Sequence, residues 1–258
     1  MPARRPLLFS TLVTLIFLIL LIMVVVAQKA VEPPFLQEAI GAAGRALLGL
    51  GALLGLAALG WRRWLAGRGS AVSWLLIALP LLYILAVFPL LFTGSYALPA
   101  HDAPMVSMVA ANGFMAGLME EVVFRGLVLG SLLLSWGDSR RGLWRAVVVS
   151  SVFFSVPHAL NVLAGADPLR TLAQLVWALL LGMVLGALTV AGGSLWPVAI
   201  LHGLGNAFIH ANRLGHGAAT DPTVAALLAI APLPLNLYAW LVLRRFRRLG
   251  PAPRERSA

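Results

Sequence analysis

A few polar and ionisable residues sit inside stretches that are otherwise apolar: Glu120, Glu121 and Arg125; His158 and Asn161; His202 and Asn206. Ionisable groups at membrane depth are costly and mark function by default. Glu121 and Arg125 stand four apart, so a helix places them on one face, where pairing lowers the cost of burying either charge. Glu120 points about 100° away from that face. One carboxylate is thereby committed to structure and the other is free for acid–base chemistry. His202 and Asn206 are also four apart, so an imidazole and an amide share a face. Phe154 and His158 repeat the spacing, which sets an aromatic wall beside the second imidazole. Asn112 and Gln174 are weaker cases, and His210 reads as a structural residue.

The elements that must position these groups follow from composition. Of 258 residues, 60% are apolar and only 11% are charged, and the mean hydropathy is +0.93. A soluble domain carries about 25% charged residues. The composition excludes an ordinary soluble protein and a disordered chain, and the absence of cysteine excludes a disulfide scaffold. It describes an all-α, polytopic transmembrane helical bundle of about eight spans. The apolar runs are Leu7–Ala27, Ala39–Gly60, Val72–Phe92, Met105–Leu134, Leu143–Leu163, Leu169–Ala191, Pro197–Asn212 and Pro222–Leu243. The first follows Arg4 and Arg5 and is too long for a signal-peptide core, so it reads as an uncleaved anchor. The fourth is longer than a bilayer requires and must be tilted, broken or extended.

The net charge of +10, from nineteen Lys and Arg against nine Asp and Glu, suggests nucleic-acid binding at first. The spans give another account. With both termini on one side, fourteen basic residues fall on that side, three on the other, and Arg45 and Arg125 within spans. Basic residues collect in cytoplasmic loops, so the bundle is expected N-in and C-in, with no nucleic-acid partner. The arginine-rich tail would also meet anionic membrane lipid.

The motifs carry a family resemblance. Glu120-Glu121-Val-Val-Phe-Arg125 resembles the EExxxR motif of the CPBP family (CAAX proteases and bacteriocin-processing enzymes, also called Abi). Phe154-Ser-Val-Pro-His158 is similar to its FxxxH motif, and His202-Gly-Leu-Gly-Asn206 to its HxxxN motif. Their order, on three separate hydrophobic segments, matches too. The resemblance covers about Met105 to Asn212. It divides a single membrane domain, 1–258, into three N-terminal spans without a motif (1–104), a CPBP-like catalytic core (105–212), and a last span with a basic tail (213–258).

The resemblance implies an intramembrane endopeptidase. Peptide hydrolysis needs an activated water, a positioned acid or base, and donors for the oxyanion. Glu120 is the expected general base, with His158 holding the same water. His202 and Asn206 would face the oxyanion. Arg125 would fix Glu121 and hold the fourth helix in register. Phe154 and Asn161 are the expected substrate-side residues. The alternative mechanism is a zinc site of Glu120, His158 and His202, since catalytic zinc keeps an open position for water. That spacing is not HExxH, and the metal-free version is preferred.

A transporter using Glu120, His158 and His202 as a proton or cation pathway is the competing function. A catalytically silent immunity or scaffold protein is the third. No repeated halves of the transporter kind are present, which favours the protease. Its substrate would be a peptide or a prenylated or lipid-anchored protein. The richness in Ala, Arg, Gly and Leu suggests a bacterial inner membrane. The site is expected in a cavity open to the cytoplasm. One geometric difficulty remains: His202 lies only five residues past Pro197, too shallow to meet Glu120. Either the Gly192–Pro197 connection dips into the bundle, where a surrounding of protein permits irregular backbone, or the span boundaries lie elsewhere.

Overall fold

The computed structural model describes residues 2, 4–61, 76, 80, 82–87, 102–163, 165–214 and 222–245. Most of the expected third span, Val72–Phe92, lies outside the described residues. Every element among them is helical. The helices are α1 (Pro6–Lys29), α2 (Pro34–Ala58), α3 (Ala103–Glu121), α4 (Gly130–Trp136), α5 (Arg140–Ser155), α6 (Leu160–Leu163), α7 (Pro168–Gly192), α8 (Trp196–Arg213), α9 (Pro222–Ile230) and α10 (Leu233–Arg245). A π-helical segment, Val122–Leu129, joins α3 to α4, and a 3₁₀ turn, Val156–Ala159, joins α5 to α6.

Five stretches are long and apolar enough to cross a membrane: Pro6–Lys29, Pro34–Ala58, Arg140–Leu163, Pro168–Gly192 and Pro222–Arg244. The α3–α4 rod and α8 are not among them. These two carry Glu120, Glu121, Arg125, His202 and Asn206, so the residues that make the site also lower its helices' hydropathy. The rod is continuous but locally re-wound, since π-helical turns pair residues five apart. The last expected span is broken at Ala231-Pro232, where proline removes a backbone donor.

The bundle has two distinct ends. Ser10 of α1 meets Ser131 of α4, and Phe17 meets Phe124, while Gln28 reaches Arg45. Thus α1 runs antiparallel to both α2 and the α3–α4 rod. Gly49 lies against Met119 and Gly126 against Leu56, which makes α2 and the rod parallel. Arg140 donates to the Arg244 carbonyl, bringing the start of α5 and the end of α10 to the end where α1 begins. At the other end lie Lys29, Asp102 and the Gly165–Arg170 connection. The first and last helices therefore begin and finish on one side.

Burial grades inward. Only 17% of the α1 span is buried, against 61% of α7. Leu8, Ile16, Met23, Leu47 and Leu54 are exposed, as lipid-facing residues would be. The centre is built by α7, whose Leu181, Val184, Leu185 and Leu188 pack with Phe124, Val128, Val147 and Phe154. Two contacts bring helix backbones unusually close. Gly113 lies against the Asn206 carbonyl, and Gly117 against Gly203 and the His202 carbonyl carbon. Small residues permit such approach in membranes.

The connection before α8 dips as the depth of His202 requires. Gly193, with φ of 62°, closes α7 in the left-handed region that favours glycine. Ser194 and Leu195 are buried. Leu195 packs with Leu56, Val122 and Leu127, several residues inside the end of the rod at Trp136. Starting from that depth, α8 reaches the level of Glu120 within two turns.

The close crossing of α3 and α8 is testable. A Cβ on residue 117 would stand 2.8 Å from the backbone nitrogen of Gly203 and from the His202 carbonyl carbon. Backbone atoms cannot yield as a side chain does, so Gly117→Ala should cost about 1–3 kcal/mol. Thermal unfolding in detergent should show a lowered midpoint. Gly51→Ala, which meets open space, should leave the midpoint unchanged.

Candidate active site

The site begins with a carboxylate that has no access to solvent. Glu121 is fully buried and Arg125 is 1% exposed. Arg125 Nη1 lies 3.0 Å from Glu121 Oε1, the ion pair read from the spacing. His202 Nδ1 lies 2.7 Å from the same oxygen. Oε1 therefore faces both Arg125 and His202, while Oε2 has no hydrogen-bond partner among the described residues. Arg125 also donates through Nη2 to the Gly182 carbonyl and lies 4.2 Å over the Phe154 ring. A guanidinium suits this position because it is planar and weakly hydrated, and can bond and stack at once.

Glu120 has a different environment. Its side chain is 18% exposed and its Oε2 lies 3.8 Å from His202 Nε2. Adjacent residues on one helix thus carry one sealed carboxylate and one facing open space. His202 spans the two, with Nδ1 on Glu121 and Nε2 toward Glu120.

The other imidazole is positioned by the 3₁₀ turn. Pro157 cannot donate to the preceding turn, and His158 Nδ1 lies 3.1 Å from the Phe154 carbonyl and 3.2 Å from that of Ser155. Carbonyls only accept, so Nδ1 is the donor here and Nε2 is left for another partner. Phe154 is the common packing element. Its ring meets those of His158, His202 and Phe124 edge-on, at centroid distances of 5.4, 5.8 and 5.4 Å. It is 2% exposed, so it fixes both imidazoles before it acts as any substrate wall. Asn161 donates to Gln174 Oε1 at 2.8 Å, tying α6 to α7.

These groups border one cavity of about 690 Å³. Glu120, His158, Asn161, His202, Asn206 and Phe154 all line it, so the residues singled out by sequence converge, with Glu121 and Arg125 directly behind the wall. The cavity floor is apolar, with Phe17, Phe124, Leu181 and Leu185. It runs to the Gly165–Arg170 connection and His210. Of the two ends of the bundle, the described lining reaches the one away from Arg140 and Arg244. The reason is helical register: beyond Phe124 the interior is filled by Val128, Leu129, Leu132, Val147 and Leu188.

Sequence reading passed over Arg45 and gave His210 and Gln174 too little weight. Arg45 figured only in the charge count, yet it lines the cavity and donates to Asn112, whose amide donates to Glu38. His210 and Gln174 also line the cavity. Arg45 offered a usable signal, because an arginine in an apolar span is as costly as a glutamate.

Zinc is the other group these side chains could be asked to hold. Each imidazole has Nδ1 held by an acceptor and Nε2 turned away, as zinc-ligating histidines do. Among the described residues, however, no three His, Asp or Glu side chains gather closely enough to hold an ion.

The ion pair gives a direct stability test. Arg125→Met would leave the Glu121 charge buried without its partner and should cost about 3–5 kcal/mol. Adding Glu121→Gln should recover part of that loss in detergent unfolding, because the uncompensated charge is removed.

One comparison with known proteins covers the stretch that holds this site. Residues 102–208 match the family model described as Type II CAAX prenyl endopeptidase Rce1-like. No curated protein and no solved structure matches. The matched stretch holds every residue from Glu120 to Asn206, so the part of the chain that builds the site is similar to a family of CAAX proteases.

Proposed function

We propose that this protein is an intramembrane endopeptidase in which Glu120 activates the attacking water without a metal. The observation that carries the reading is the division of labour between adjacent carboxylates. Glu121 is sealed and bound to Arg125 and His202, whereas Glu120 faces the cavity beside a histidine whose other nitrogen is already committed.

Water held at Glu120 and the bare Nε2 of His158 loses a proton to Glu120 as its oxygen attacks the peptide carbonyl carbon. The carbonyl π electrons move to oxygen, and Asn206 donates to the resulting oxyanion. His202 Nε2 donates there as well when its ring carries a second proton. Two carboxylates against one guanidinium leave room for that proton within a neutral site. Glu120 then passes the water proton to the leaving nitrogen, and the C–N bond breaks. The apolar floor suits an extended, membrane-proximal peptide segment, prenylated or lipid-anchored substrates included. The chain would sit in the membrane as about eight spans, in a bacterial inner membrane.

Glu120→Gln should lower cleavage of a membrane-bound reporter peptide by about 10²–10⁴-fold, the usual contribution of a general base, while protein accumulation and unfolding midpoint stay near wild type. Unimpaired cleavage would remove Glu120 from the role. Protein stripped of metal by a chelator should retain full activity; activity restored only by added Zn²⁺ would replace this mechanism with a metal-dependent one.

A further inference from the structure

We propose that Arg45 forms a carboxylate-binding subsite in the cavity, within a few peptide residues of the bond that Glu120 attacks. The ligand is a carboxylate of the substrate peptide itself, and its capture by Arg45 sets where along the chain the cut falls. The inference rests on the protease reading for the peptide nature of the ligand, and on the surroundings and position of Arg45 for the rest.

The first observation is a cation without an anion. Arg45 lies within α2, one of the apolar spans, and borders the cavity. A charge in such a span is costly unless it is paired. Among the described residues no carboxylate forms an ion pair with it; the ion pairs gather on Glu120 and Glu121. Its partners are neutral amides. Nη1 donates to Asn112 Oδ1 at 2.5 Å and to Gln28 Oε1 at 3.5 Å. Glu38 is engaged by Asn112 instead, whose Nδ2 donates to its Oε2 at 2.5 Å. Both bonds of Arg45 use one nitrogen, and none of the described residues engages Nε or Nη2. That edge of a guanidinium is a rigid fork of parallel N–H donors, and it matches a planar carboxylate. The amides hold the side chain in place without neutralising it.

The second is the distance to the reacting group. Asn112, which fixes the guanidinium, and Glu120 both belong to α3. Their numbers place them two helical turns apart, roughly 12 Å along the axis. An extended peptide advances about 3.3–3.6 Å per residue, so about three residues bridge that interval. The same cavity covers it, lined by Ala116 midway along α3 and by Ile209 and His210 of α8. A peptide lying along α3 with its scissile bond at Glu120 therefore brings a group about three residues away to the open edge of Arg45. A carboxylate at that point supplies the missing counter-charge, whether it is the chain terminus or an acidic side chain.

The full chain, purified in detergent, should bind N-acetyl-trileucine as the free acid about 10–100-fold more tightly than as the amide, the worth of charge-assisted hydrogen bonds. Arg45→Gln should abolish that preference while leaving affinity for the amide unchanged. Arg45→Lys, which keeps the charge without the fork, should retain only part of it, and it carries the test if the first variant fails to fold. A mere brace between α2 and α3 would move the unfolding midpoint but not the acid-to-amide ratio. Equal binding of acid and amide, no binding of the acid, or an undiminished preference in the variants overturns the proposal. Comparing N-acetyl-Leu-Leu-Asp amide with its Asn counterpart separates the two sources: discrimination there admits an acidic side chain, and equal binding there assigns the subsite to the chain terminus. Binding is read without cleavage, so the protease reading stands or falls separately in the Glu120→Gln assay.

Discussion

A carboxylate with no exposed surface, Glu121, is the constraint on which the site depends. In an apolar bundle such a charge is tolerable only when cations and donors reach it with good geometry. Arg125 does so from the next turn of the same rod, and His202 from a different helix. The second contact is the consequential one. It requires α3 and α8 to approach until Gly117 touches Gly203, and it requires α8 to start below the membrane end of its neighbours. The buried turn at Gly193-Ser194-Leu195 and the glycine crossing are both ways of meeting that requirement.

Once Glu121 is held, the remaining groups are set by it. His202 has one nitrogen engaged, so its ring cannot turn and Nε2 is left facing Glu120. Arg125, held on Glu121 and on the Gly182 carbonyl, presents its flat face to Phe154. Phe154 in turn packs on both imidazoles. A single buried charge thereby orders a guanidinium, an aromatic ring and two histidines, and Glu120 stays free because nothing in the chain of contacts needs it. Such preorganisation is what hydrolysis demands, since groups fixed before the reaction need not reorganise during it.

The polar site also accounts for irregularity in its helices. The π-helical stretch at Val122–Leu129 lies beside the two glutamates, the 3₁₀ turn at Val156–Ala159 contains His158, and the left-handed Gly193 precedes α8. In lipid an irregular backbone is tolerated only where protein or a water-filled cavity surrounds it. All three lie within the bundle or on the cavity, while the helices facing outward, α1 and α2, are regular over 24 and 25 residues.

Much of this was legible in the sequence, for identifiable reasons. Long apolar runs fix helices because lipid leaves the backbone no other partner, so α1, α2 and α7 fall close to their expected bounds. Four-residue spacing fixed the Glu121–Arg125 pair because both lie on one continuous rod. Charges in apolar segments marked Glu120, His158, His202 and Asn206, and these do border one cavity. Contacts between helices were not legible, because pairing across the bundle depends on register and depth that no local spacing encodes. Only the tertiary structure decided that His202 binds the sealed Glu121, that Arg45 joins the cavity's polar margin, and that packed Val128, Leu129 and Leu132 close one end. The direction of the cavity is a property of how the core fills, and that is settled only when all the helices are together.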